Sequence, residues 1–259
     1  MAAEFAGRWA VVTGASAGIG AALARELARE GAKLILTARR ADRLEALATE
    51  LRAQGTEVRV VVADLNERGG PQAIFEATAG VVVDVLVNNA GLGQYGAFVS
   101  SGIEQELSQV RVNCEAMVHL TRLFAPGMAE RRRGWILVVA STASFQPVPY
   151  LTTYAATKAF DRFFAEALAA EMASSGVRVT ALCPGPTESE FFEVAGAAKF
   201  RGRGVQRVEV VARRAVRALG RGQRVIIPYA SGRLTALAVR LLPTRWITAV
   251  VERAARPAR

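Results

Sequence analysis

Among 259 residues the chain has two cysteines, Cys114 and Cys183, and a single histidine, His119. Two distant cysteines with no CxxC spacing provide neither a disulfide framework nor a thiolate metal site; they fit a reducing compartment and read as small core residues. The one histidine has no partner in any sequence pattern, so His119 reads as structural in preference to catalytic, and no metal is expected. No run reaches about 18 uninterrupted apolar residues, and Met1 to Arg8 lacks the basic start and apolar stretch of a signal peptide; the expected location is the cytoplasm. Internal repeats and long Pro/Gly/Ser linkers are also missing, which predicts one domain with a large apolar core. Lysine is scarce as well, with three against thirty arginines, and there are four tyrosines.

That scarcity makes one coincidence informative. Tyr154 and Lys158 stand four residues apart, where about 0.05 such pairs are expected by chance. On a helix they share a face. A cation beside a phenol favours the phenolate, which predicts a lowered Tyr154 pKa and a general acid or base usable near neutrality.

Charge is unevenly distributed. The chain carries +10 overall, but residues 199–259 hold +13 and residues 1–198 hold −3. A basic quarter can serve nucleic acid, an anionic membrane surface or an acidic ligand, or can reflect arginine filling solvent-facing helix positions. From Tyr229 onward, Leu234, Leu237, Leu241 and Leu242 recur at helical spacing with arginines among them, and Pro243 interrupts before Trp246 and Ile247. Residues 229–259 therefore read as a basic amphipathic extension of the domain formed by residues 1–228. The tail has no aromatic platform for bases, so a membrane surface or subunit contact is preferred over nucleic acid.

Apolar, β-rich runs at Trp9 to Thr13, Leu34 to Ala38, Val58 to Ala63, Val81 to Asn88, Trp135 to Ser141, Val177 to Cys183 and Val225 to Pro228 alternate with helix-length connections. These connections are Gly18 to Glu30, Asp42 to Gln54, Gly102 to Arg132, Thr153 to Ser174 and Val208 to Leu219. The alternation predicts a doubly wound α/β fold with a parallel sheet of about seven strands and helices on both faces. Residues 185–207 are irregular and read as a loop or short helices over a site.

Directly after the first strand, Thr13-Gly14-Ala15-Ser16-Ala17-Gly18-Ile19-Gly20 runs into a helix, a place where glycines allow backbone to approach a pyrophosphate at the helix N-terminus. At the end of the second strand stand Arg39 and Arg40, where an NAD site places an acid. Two arginines there would neutralise a 2′-phosphate, which predicts NADP(H); the competing reading is that they begin a basic helix.

With these pieces the chain resembles the short-chain dehydrogenase/reductase family over residues 7–228. The resemblance implies a Rossmann fold whose cofactor contacts include the turn residues Gly14, Ser16, Gly18, Ile19 and Gly20, the adenine-site pair Asp64-Leu65, and Asn89, Ala90 and Gly91. Pro184, Gly185 and Thr187 would lie by the nicotinamide. It also implies hydride transfer between nicotinamide and a carbonyl or alcohol carbon, with Tyr154 as proton donor and Ser141 bonded to the substrate oxygen. Lys158 would tune Tyr154 and hold the ribose, and Asn113 would position a relay water. Ser144 is the rival serine, but the thirteen-residue spacing to Tyr154 favours Ser141. Family members commonly form homodimers or homotetramers through the Tyr–Lys helix and its neighbour, and Phe160, Phe163, Phe164 and Leu168 either serve that contact or face the sheet. Phe191, Phe192 and Phe200 either wall an apolar substrate site or are ordinary packing.

Overall fold

A computed structural model describes residues 4–197 and 205–257. Strands β1 (Trp9–Thr13), β2 (Lys33–Ala38), β3 (Val58–Val62), β4 (Val83–Asn88), β5 (Gly134–Val139), β6 (Val177–Leu182) and β7 (Val225–Ile226) form one sheet. Its order is β3-β2-β1-β4-β5-β6-β7, and every pairing is parallel. The chain moves outward from β1 in one direction and then, from β4, in the other. The C-terminal ends of β1 and β4 therefore flank the crevice where such sheets bind ligands.

Alternate residues along each strand feed two cores. Ala10, Val12, Leu34, Leu36, Val85, Val87 and Leu137 pack with Leu23, Leu27, Leu44 and Leu51 from α1 (Gly18–Arg29) and α2 (Ala41–Ala53), and with Val211 and Leu219 from α8 (Val208–Gly220). Val11, Ile35, Leu86, Ile136 and Val179 point the other way, onto α3 (Gly70–Glu76), α5 (Ala116–Glu130) and α6 (Thr152–Glu171). Burial on both faces explains why these strands read as continuous apolar runs instead of alternating ones.

Two helices differ from the sequence reading, and the irregular segment and the tail follow it. The expected helix over residues 102–132 is α4 (Ile103–Val110), a π-helical turn at Arg111–Glu115, and then α5. Helix α3 lies in a stretch too short and too glycine-rich to show helical periodicity. The irregular 185–207 segment contains the four-residue α7 (Phe191–Val194) and a parallel bridge between Thr187 and Gln206; Phe200 lies outside the described residues. The tail forms α9 (Ala230–Leu241) and α10 (Thr244–Ala255), broken at Pro243 as its ring geometry requires.

Candidate active site

The glycine turn is drawn tight against the end of β4. Gly14 has φ +64°, and a Cβ on Gly20 would lie 2.3 Å from the Gly14 carbonyl oxygen, so no other residue fits at Gly20 without moving backbone. Thr13 Oγ1 accepts from the backbone N–H groups of Asn89 (2.9 Å) and Ala90 (3.0 Å), and Asn89 Nδ2 donates to the Thr13 carbonyl at 2.8 Å. These bonds join the strands on either side of the crevice. Sequence reading assigned Thr13 no role, because its value lies in partners more than 70 residues away. Helix α1 begins at Gly18 with no side-chain cap on its N-terminus, leaving backbone donors for an anion.

Catalytic-type residues converge at the ends of β5 and α6. Ser141 follows β5 and lines the cleft, with its Oγ accepting from the Ala143 N–H at 3.1 Å. Ser144 is buried with its Oγ 3.9 Å from Cys183 Sγ. Lys158 is buried, donating to the Val139 carbonyl at 2.8 Å and to Asp161 Oδ2 at 2.9 Å. Asp161 is 2% exposed and its Oδ1 has no hydrogen-bond partner among the described residues. Nothing in the sequence marked this carboxylate, since a helical Asp three residues after a Lys reads as a surface pair.

The Tyr154 pKa runs opposite to the sequence expectation. Burial of the phenol pushes it up by more than Lys158 and the hydrogen bond with Ser141 pull it down, and Asp161 adds to the rise. The phenol is therefore protonated at neutral pH. Burial works against the Lys158 ammonium, but Asp161 and Tyr154 more than compensate and hold its pKa above the ordinary lysine value.

Asn113 sits in the π-helical turn, 1% exposed. Its Oδ1 accepts from the Leu92 N–H at 2.8 Å, and its Nδ2 donates to the Leu92 carbonyl at 2.9 Å and to Thr157 Oγ1 at 2.8 Å. Thr157 Oγ1 in turn donates to the Tyr154 carbonyl at 2.8 Å. Asn113 thus fastens the backbone after Gly91 to the helix that carries Tyr154.

A cleft of about 640 Å³ brings together Gly14, Ser16, Gly18, Ile19 and Gly20 at one end with Tyr154 and Lys158 at the other. Arg39, Arg40, Asp64, Leu65, Asn89, Ala90, Gly91, Ser141, Pro184, Gly185 and Thr187 also line it. Asn113 and His119 do not line it, although Asn113 Oδ1 would lie 3.4 Å from a Cβ on Gly91. Its length, its glycine floor and its uncapped helix terminus suit an extended dinucleotide. Sequence reading missed Gly93, Gln206, Ser231 and Gly232 as lining residues. Gly93 and Gln206 had findable signals, one following Gly91 by two residues and the other lying in the 185–207 segment read as covering a site; Ser231 and Gly232 reach the cleft only through tertiary packing.

The short chain dehydrogenase family model matches residues 8–199. The chain belongs to the short-chain dehydrogenase/reductase family. It is 40% identical over 184 residues to the very-long-chain 3-oxoacyl-CoA reductase of Anas platyrhynchos and 40% identical over 182 residues to hydroxysteroid dehydrogenase-like protein 1 of Gallus gallus. Each alignment covers 69% of this chain; they span 59% and 55% of those relatives' own lengths. A short-chain dehydrogenase from Sphingobium yanoikuyae in complex with NADPH superposes with TM-score 0.83 at 31% identity, covering 97% of this chain and 99% of its own. A Burkholderia phymatum family member in complex with NAD also has TM-score 0.83, at 26% identity, covering 90% and 93%. Solved relatives of this fold thus carry NADPH in one case and NAD in another.

Proposed function

We propose that this short-chain dehydrogenase/reductase is an NADPH-dependent reductase of ketones carried on apolar, acyl-like molecules. The observation that carries the reading is the protonated Tyr154 beside Ser141 and the Lys158–Asp161 pair, under an apolar wall. Val148, Leu151, Phe191, Phe192 and Ala195 line that end of the cleft, and the Phe191 ring centroid lies 5.1 Å from that of Tyr154. A wall of this kind favours an apolar chain next to the reacting carbonyl. The 3-oxoacyl-CoA and hydroxysteroid names of the relatives fit the same substrate class.

Lys158, Pro184 and Thr187 line the part of the cleft that would hold a nicotinamide, which when bound would supply the hydride. Ser141 donates to the carbonyl oxygen, and Tyr154 delivers its proton there as negative charge develops. Lys158, kept cationic by Asp161, then stabilises the phenolate left behind. Arg39 and Arg40 at the end of β2 support a 2′-phosphate and hence NADPH. A protein that only senses nucleotide has no need of this proton-donating set, which favours turnover over sensing.

Tyr154→Phe tests the assignment. The variant is expected to bind NADPH within about twofold of wild type and to lose at least about a hundredfold in turnover on long-chain β-keto esters, the typical size of a proton-transfer contribution. Turnover retained near wild type would remove Tyr154 from the chemistry.

Two surface features support further parts of the reading. The apolar residues Ile103, Leu107 and Val110 on α4 and Phe160 and Phe163 on α6 are exposed, which suits a homo-oligomer formed through these helices. Leu234, Leu237, Leu241, Leu242, Trp246 and Val250 stand exposed on the basic tail, which suits peripheral contact with an anionic membrane.

A further inference from the structure

Each arginine near the end of β2 is engaged by a carboxylate. Arg39 Nη1 lies 3.9 Å from Asp64 Oδ2. Glu190, from the segment after β6, accepts from Arg40 Nη1 at 2.9 Å and from Arg43 Nη1 at 2.5 Å, spending one oxygen on each. Arg40 also donates through Nε and Nη2 to Ser16 Oγ, at 3.2 and 3.1 Å. Two guanidinium groups gathered around one anion, one of them braced by the Ser16 hydroxyl of the glycine turn, form a donor set that suits a phosphate monoester. The anion filling it here belongs to the chain itself. The two arginines hold the Glu190 carboxyl below the usual range, a sign that its charge is well matched to them.

Glu190 is also placed to couple the two ends of the cleft. Its neighbour Ser189 packs on the glycine turn, where a Cβ on Gly18 would lie 3.0 Å from Ser189 Cβ. The next residue, Phe191, lies over Tyr154 and so closely over Gly93 that a Cβ there would meet its ring at 2.5 Å. Side chains of Arg40, Arg43 and Glu190 are each about two-fifths exposed, at 41%, 43% and 41%, so an incoming anion can reach them.

We propose that Glu190 is an internal stand-in for the cofactor 2′-phosphate, that Arg43 joins Arg40 in binding that phosphate, and that exchange of one anion for the other sets the discrimination between NADPH and NADH. This rests on the NADP(H) reading above and goes beyond it, since neither Arg43 nor Glu190 belongs to the glycine turn or to the end of β2. NADPH must displace Glu190 to gain the arginines, so the carboxylate lowers NADPH affinity. NADH has no group that competes for them.

Fluorescence titrations of wild type, Glu190→Gln and Arg43→Ala with NADPH and NADH, and competition by 2′,5′-ADP, test the exchange directly; melting curves check that the variants fold. Glu190→Gln should tighten NADPH and 2′,5′-ADP by about three- to tenfold, the range for two half-exposed ion pairs, while moving NADH by less than about twofold. Arg43→Ala should weaken NADPH and 2′,5′-ADP and leave NADH alone. The proposal is overturned if Glu190→Gln leaves NADPH unchanged, weakens it, or moves both dinucleotides alike, or if Arg43→Ala spares NADPH. Wild type binding NADH as tightly as NADPH, with Glu190→Gln still tightening NADPH selectively, would retire the NADPH preference and uphold the exchange.

Discussion

Asp161 shows how one buried carboxylate can govern a phenol it does not touch. Its charge helps hold Lys158 cationic and raises Tyr154, so it favours the protonated phenol on which the proposed ketone reduction draws. Replacing it with Asn removes a negative charge from both neighbours. The pH at which alcohol oxidation switches on, which follows Tyr154 deprotonation, should move to lower pH in Asp161→Asn, and the fall-off of ketone reduction should move with it. A lower rate with an unmoved profile would mean that Asp161 only packs the helix. The stability consequence has a defined sign. Tyr154 titrates above its ordinary value of 10 in the fold, so the unfolded chain ionises first and the protein loses stability as pH rises past 10. At this scale the sequence displayed Tyr154, Lys158, Ser141 and the glycines clearly, because rare residues at fixed spacing stand out. It hid Asp161, Thr13 and Glu190, whose roles come from burial or from partners far along the chain: Glu190 meets Arg40 across 150 positions. The direction of the Tyr154 pKa was hidden for a related reason. A neighbouring lysine is visible in sequence, whereas the desolvation that outweighs it is not.

Elements were legible wherever burial imposed a pattern. The seven strands and the long helices followed from apolar runs and 3.6-residue periodicity. The π-helical turn at Arg111–Glu115 did not, because an extra residue in one turn leaves the composition unchanged while rotating Asn113 into the bonds with Leu92 and Thr157. Helix α6 divides the four residues that sequence left open: Phe164 and Leu168 pack against the core, whereas Phe160 and Phe163 face solvent. With α4 beside it, this forms an apolar surface across two neighbouring helices, of a kind that a subunit contact of roughly 1,000 Å² or more would cover. The double variant Val110→Glu/Phe163→Glu is expected to elute as a monomer of 27.6 kDa in light-scattering chromatography, where wild type elutes at two or four times that mass. A wild-type monomer, or a variant that keeps the wild-type mass, would discard these helices as the interface.

Over the whole molecule, the charge asymmetry and the cleft meet at the tail. Helix α9 begins beside the cleft, which Ser231 and Gly232 line. Helix α10 returns toward it: Tyr95 Oη donates to the Ala255 carbonyl at 2.8 Å, and Tyr150 Oη donates to Glu252 at 3.1 Å, just before α6. Ile247 and Ala255 are buried by this docking, while Trp246 and Val250 remain outside. Residues 230–257 include five arginines and one acid, a net of four positive charges, each worth about 1 kcal/mol at an anionic bilayer surface. Together with the exposed leucines of α9 this predicts sedimentation with vesicles containing about 30% phosphatidylserine, release at about 0.5 M salt as the charges are screened, and little binding to neutral phosphatidylcholine. Leu237→Glu/Leu241→Glu should abolish the binding while leaving turnover of a water-soluble ketone unchanged, since both side chains are exposed and neither lines the cleft. Equal binding to neutral vesicles, or full binding by the variant, would return the basic tail to a solvent-facing role. Loss of turnover along with binding would mean that α9 shapes the cleft through more than Ser231 and Gly232.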